Sequence, residues 1–220
     1  MTKFFISVLF MGICSQAFAS TLLLDFGDSA SAPTLGGTWN ADVEATVAVG
    51  GLNYADGTVA TGIGLEINNH KNSVTDQGVW GADKAWVDAD ATADYIWRDE
   101  SAFSITLTGL DDALTYDISM VAARNGGTNR VGTYTVQGLT TTDDVSSAGI
   151  NIATSFSNRT LLNWSAVSPI SGEIVLTATP DSGQTVFVNA MQIVTIPEPG
   201  TLMLVGIAGG VLILSRLRRK

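Results

Sequence analysis

Apolar and polar positions alternate with period two along most of the second half of the chain. In "FSITLTGL", Phe103, Ile105 and Leu107 fall on one face and Ser104, Thr106 and Thr108 on the other; "TYDISMVA" repeats this with Tyr116, Ile118, Met120 and Ala122. "EIVLTAT" and "TVFVNAMQIV" continue the pattern, and "TLLLDF", "VEATVAV", "GIGLEI", "GTYTVQ" and "LLNWSAV" are further candidates. Successive strand side chains point to opposite faces, so each segment predicts a half-buried strand. Thr, Val and Ile enrichment, with Gly, Asn and Asp between the segments, predicts an all-β, antiparallel β-sandwich. No window in the body carries a helical period. "LTGLDDALTYDISM" leads one strand through Gly109 into the next, and "ATPDSGQTV" turns at Pro180, Asp181 and Gly183 into the last. Residues 81–95, "GADKAWVDADATADY", lack periodicity and read as a long surface loop.

Both ends break this pattern. Lys3 is followed by an apolar run over residues 4–13 and by Ala17-Phe18-Ala19, which together read as a secretory signal peptide cleaved after Ala19. The chain's one cysteine, Cys14, lies inside it; Ile13 before it is too large for a lipoprotein site. The mature chain then has no thiol, and its core alone must hold it together. At the other end, residues 201–215 are uncharged and precede Arg216, Arg218, Arg219 and Lys220. A helix of that length spans roughly 22 Å, short of the ~30 Å hydrocarbon core unless flanking residues extend it and the basic side chains snorkel. A core helix rarely ends in such a basic cluster, and Gly206, Gly209 and Gly210 weaken a strand, so a marginal membrane-spanning helix is the favoured reading. The basic end would face the cytoplasm. The chain thus divides into a signal peptide (1–19), a β-sandwich domain (20–195) and a tail (196–220).

Charge sharpens the picture. Five of the eleven basic residues belong to the two ends, leaving six against twenty acidic residues over 20–196, a balance of −14. Such a surface repels phosphate backbones and speaks against nucleic acid as a partner.

The tail carries a resemblance. Pro197-Glu198-Pro199, a short apolar segment and a terminal arginine-rich cluster are similar to the tripartite PEP-CTERM sorting signal. The resemblance implies recognition by an exosortase, transient residence in the inner membrane, and release or attachment at the surface of a bacterium that makes an exopolysaccharide. Physically, two prolines around Glu198 cannot continue a helix, which keeps the motif extended for an enzyme to bind. A permanent, uncleaved anchor is the alternative. Over residues 100–194 the body resembles a galactose-binding-like or malectin-like jelly roll, on "GLD…TYD", "AAR", "YTV.G", "SP.SGEI.L" and the closing "VNAMQIV". Such domains often bind carbohydrate in secreted proteins.

Candidate chemistry is sparse. "LLLDFGDSAS" resembles the nucleophile block of GDSL-type hydrolases, but the sole histidine, His70, has Ile67 where the partner aspartate should stand, and "GGTNRV" lacks the oxyanion-block aspartate. Without a positioned base Ser29 is a turn serine. Asp99-Glu100 and Asp111-Asp112 are adjacent pairs, which a strand sends to opposite faces rather than across a sugar. No catalytic residue and no required cofactor follow. One histidine and no cysteine cannot build a zinc site. Calcium asks only for oxygens, which Asp88, Asp90 and Asp94 could offer, although the loop lacks the Gly and Glu of an EF-hand. For glycans, Trp97 and Arg98, with Arg124, Asn125, Asn129 and Arg130 around a Gly-Gly turn, are the candidate contacts; a solvated hairpin and core tryptophans are the plainer reading. The expectation is an exported, non-enzymatic surface or matrix protein, with a carbohydrate-binding module as the alternative.

Overall fold

The computed structural model describes residues 19–27, 37–41, 43–74, 86–87, 91, 94–122, 130–138, 145–152 and 160–196. Residues 1–18, nearly all of the expected signal peptide, and the tail beyond residue 196 lie outside them. Among the described residues every regular element is a strand, and no helix is long and apolar enough to cross a membrane.

Twelve strands are formed: β1 (Thr21–Asp25), β2 (Gly64–Asn68), β3 (Asn72–Val74), β4 (Tyr95–Asp99), β5 (Phe103–Thr108), β6 (Thr115–Ala122), β7 (Arg130–Gln137), β8 (Val145–Ile152), β9 (Thr160–Val167), β10 (Ile174–Pro180), β11 (Thr185–Val188) and β12 (Ala190–Ile196). They build a four-stranded sheet ordered β1-β12-β6-β9, a five-stranded sheet ordered β2-β5-β10-β7-β8, and a three-stranded sheet ordered β11-β4-β3. All paired strands are antiparallel.

The alternation in the sequence is what packs the two larger sheets together. Along β5 burial reads buried–half-buried without a break, and Leu107, Ile105 and Phe103 stand opposite Ile174, Leu176 and Ala178 of β10. On the other sheet Leu22, Ile193 and Ile118 line up across β1, β12 and β6, as do Leu24, Met191 and Met120. These rows share one core with Trp164 of β9 and Tyr134 of β7. Burying such side chains stabilises the fold by roughly 1.5–3 kcal/mol each. After β5 the chain repeatedly crosses between these sheets, as from β5 to β6 and from β9 to β10, which is the jelly-roll-like arrangement expected.

"ATPDSGQTV" is the turn expected, closed by the Gln184 amide donating to the Asp181 carbonyl (2.9 Å), and it joins strands of different sheets. Three expectations need correction. "TVFVNAMQIV" is not one strand: it breaks at Asn189 into β11 and β12, which lie in separate sheets. The buried Asn189 holds this break by accepting from the Phe26 amide (2.7 Å) and donating to the carbonyls of Val121 (3.0 Å) and Asp94 (2.7 Å). "VEATVAV" forms only an isolated bridge from Val47 to Leu65. Residues 81–95 are not simply a surface loop. Val87 packs on Val121, Ala91 packs with Leu23, Trp39 and Ala190, Asp94 and Tyr95 are buried, and Tyr95 opens β4. The outer face of the four-stranded sheet is apolar at this end, and Val87 and Ala91 pack on it.

Candidate functional site

Three places take up the candidate residues. The first is the β3–β4 surface. Adjacent residues on a strand face opposite ways, so Trp97 and Arg98 do not share a surface. Trp97 is half-buried against the main core, and its indole nitrogen has no hydrogen-bond partner among the described residues. Its outer ring face is covered by the Lys71 ammonium, 4.8 Å from the ring centroid. Lys71 also bridges to Asp99 at 2.7 Å. That hydrogen bond from Lys71 holds the Asp99 carboxyl below the usual carboxylate range. Arg98 Nε donates to Ser101 Oγ at 2.7 Å. Of the other glycan candidates, Arg130 begins β7, while Arg124, Asn125 and Asn129 lie outside the described residues.

The second is an open cleft of about 550 Å³ that the sequence did not reveal, lined by Trp39, Asn40, Glu44, Thr46, Leu52 and Asn53 among others. The segment that forms it runs along the outer edge of β1: the Asn40 amide donates to Leu23, Asp25 donates to Asn40, and Ala55 donates to Thr21. An exposed strand edge is thereby covered. The Asn40 carboxamide fixes the floor, donating to the carbonyls of Leu23 (3.0 Å) and Asn53 (2.9 Å) and accepting from the Asn53 amide (2.7 Å). The Ser73 hydroxyl donates to Glu44 on the rim. Trp39 is only 8% exposed, so it offers a wall rather than a platform. Asn40 acts here by a backbone-like pairing that no local pattern in the sequence encodes.

The candidate acids are occupied by structure. Asp111 Oδ1 accepts from the Ala113 amide (2.9 Å), closing a turn, and Asp112 Oδ1 accepts from the Gly172 amide (2.7 Å), tying two distant turns together. Glu100 sits in a left-handed turn at φ 59°. Of the calcium candidates, Asp94 is buried, and Asp88 and Asp90 lie outside the described residues, as does Ser29. Among the described residues no three acidic, histidine or cysteine side chains gather as a metal site.

The third place is the C-terminal segment that follows β12 in the chain. Residues 195–220 match the PEP-CTERM protein-sorting motif. The chain therefore carries an exosortase-type sorting signal at its C-terminal end, on an all-β domain. No characterised protein matches it as a relative in sequence. Among solved structures it is similar to a family 35 carbohydrate-binding module from Clostridium thermocellum (15% identity, 59% of this chain and 90% of that one, TM-score 0.36). It is also similar to the CBM22-1 xylan-binding domain from Paenibacillus barcinonensis (13% identity, 76% and 97%, TM-score 0.36). A third is the CBM22-1-GH10 portion of a Clostridium thermocellum endo-1,4-beta-D-xylanase complexed with xylohexaose (16% identity, TM-score 0.33), where the match takes in 48% of this chain and 22% of that one. What those proteins bind is a property of those proteins.

Proposed function

We propose that this is an exported, non-enzymatic protein of the cell surface or extracellular matrix, delivered through its PEP-CTERM tail by an exosortase. The observation that carries the reading is the sorting motif over residues 195–220, set directly behind an acidic β-sandwich domain whose chain opens with a signal-peptide pattern. Pro197, Glu198 and Pro199 serve as the recognition segment, and Arg216, Arg218, Arg219 and Lys220 hold the basic end at the cytoplasmic face of the inner membrane. The exported domain itself works as a displayed, soluble body within an exopolysaccharide layer.

Intact-mass analysis of membrane and extracellular fractions tests this. The expected mature species starts at Ser20 and ends close to Pro197–Pro199. A chain that keeps residues 200–220 and stays in the membrane would make the tail a permanent anchor and withdraw the sorting assignment.

A second reading, glycan binding by the domain, is favoured by the cleft beside Asn40, whose polar rim of Glu44, Thr46 and Asn53 suits a neutral saccharide. Glycan-array binding lost in Glu44→Ala and Asn53→Ala, with the fold kept, supports it; silence across neutral and acidic glycans removes it.

A further inference from the structure

The sorting match begins at residue 195, the last but one residue of β12. Thr195 and Ile196 are thus shared between the folded domain and the signal. Both are held in the ladder: Thr195 stands opposite Tyr116 and Ile196 opposite Thr115 on β6, and on the other side the Thr195 amide donates to the Ser20 carbonyl at 2.8 Å. Ser20 is the first residue after the expected signal-peptide cut, so both ends of the mature domain meet at one corner of the four-stranded sheet.

Between Ile196 and the apolar stretch from Thr201 the chain has only residues 197–200. Fully extended, four residues reach at most roughly 14 Å. Pro197 and Pro199 have no amide hydrogen to donate and cannot lengthen the ladder, so the motif begins where the sheet stops. An enzyme that binds a peptide in extended form needs backbone on both sides of its motif. Here the upstream backbone is already paired on both edges.

We propose, resting on the sorting reading above, that the end of β12 is a fold-dependent gate on tail processing: Thr195 and Ile196 must leave the sheet before the exosortase can engage Pro197-Glu198-Pro199. When opening and closing are fast, cleavage follows the population of the open form. Strand ends open locally at far lower cost than the whole domain. Holding two residues in three ladder contacts at this corner corresponds to a slowing of roughly tenfold relative to an unpaired motif.

The test is pulse-chase of the full chain in exosortase-bearing cells and their membranes, with tail loss read by mass. Inserting a Gly/Ser spacer of about eight residues between Ile196 and Pro197, roughly 15 Å of mean reach, is expected to speed tail removal about tenfold. The opposite variant, Thr115→Cys with Ile196→Cys, joins two directly opposed positions. With Cys14 lost in the signal peptide, that disulfide has no competing thiol. The clamp is expected to stop processing until dithiothreitol restores it, whereas damage to recognition would persist after reduction. Equal rates for wild type, spacer and clamped chains overturn the gate and leave the sorting reading intact. A tail retained in every variant, spacer included, overturns both.

Discussion

The phenol of Tyr134 on β7 both donates to the Phe187 carbonyl (2.9 Å) and accepts from the Phe187 amide (3.2 Å), so one buried side chain completes the unpaired edge of β11. A buried backbone donor and acceptor left without partners would each cost stability, and β11 is buried on both faces. Tyr134→Phe is therefore expected to destabilise the protein by about 1–3 kcal/mol in chemical denaturation. Burial pushes the phenol far above the usual tyrosine range, outweighing the opposing effect of its hydrogen bond with Phe187. The folded state thus keeps the proton while the unfolded chain releases it from about pH 10 upward. This contribution is complete below that pH and is lost as pH rises above it. Wild type should lose stability more steeply than Tyr134→Phe in the alkaline range, a difference readable from paired denaturation curves.

Gly109 begins the passage from β5 to β6 with φ +72°, and a Cβ there would fall on the Gly62 carbonyl. Ala at this position meets backbone that cannot swing aside, besides the cost of a left-handed conformation. Gly109→Ala should destabilise by about 3 kcal/mol or more. Gly50 supplies the control: its φ is +79°, but the added Cβ has nothing within 4 Å. Gly50→Ala should cost only about 1 kcal/mol, and equal losses at both sites would show that crowding at Gly109 contributes nothing.

Strands with strict alternation and one solvated face, such as β5 and β6, were legible in the sequence because their physics is local. β4 was not, since Tyr95 and Ile96 are both buried and the signal of a two-sided strand is a short apolar run rather than an alternation. The division of β11 from β12 rests on Asn189 bonding to Phe26, Val121 and Asp94, partners far away in sequence. The same contrast holds for sites. Pro197-Glu198-Pro199 reads as a motif because its three residues are contiguous in the chain. The cleft beside Asn40 depends on a segment laid against β1, which the periodicity of residues 38–55 does not encode.

Asn40 makes its own prediction. Its carboxamide gives two hydrogen bonds and takes one, tying Asn53 to Leu23 across the edge of β1. Removing it in Asn40→Ala strands the buried groups it served and is expected to cost about 2–3 kcal/mol. The loss should be local first. Hydrogen exchange should rise at the amides of Asn53 and Ala55, while those of β5 and β10 stay protected. Uniform loss of protection would mean that this segment unfolds only with the whole domain.

Lys71, Trp97 and Asp99 form a surface cluster whose value lies in what it covers. Lys71 and Asp99 side chains are 48% and 34% exposed, so their ion pair is screened by solvent and salt and should hardly move the thermal midpoint when broken. Lys71→Met should instead change local readouts. The Asp99 carboxyl, held low chiefly by the Lys71 hydrogen bond, should titrate upward toward the ordinary range in a carboxyl NMR titration. Because the folded value is depressed, the pair's contribution is present above the ordinary carboxylate pKa and fades as pH falls through the folded value. The acid limb of the stability curve should therefore flatten in Lys71→Met. With the ammonium gone from its ring face, Trp97 should also be quenched differently by acrylamide. If Trp97 is a saccharide platform, neutral oligosaccharide binding should strengthen in this variant, since the face is no longer occupied. Unchanged binding would return attention to the cleft beside Asn40.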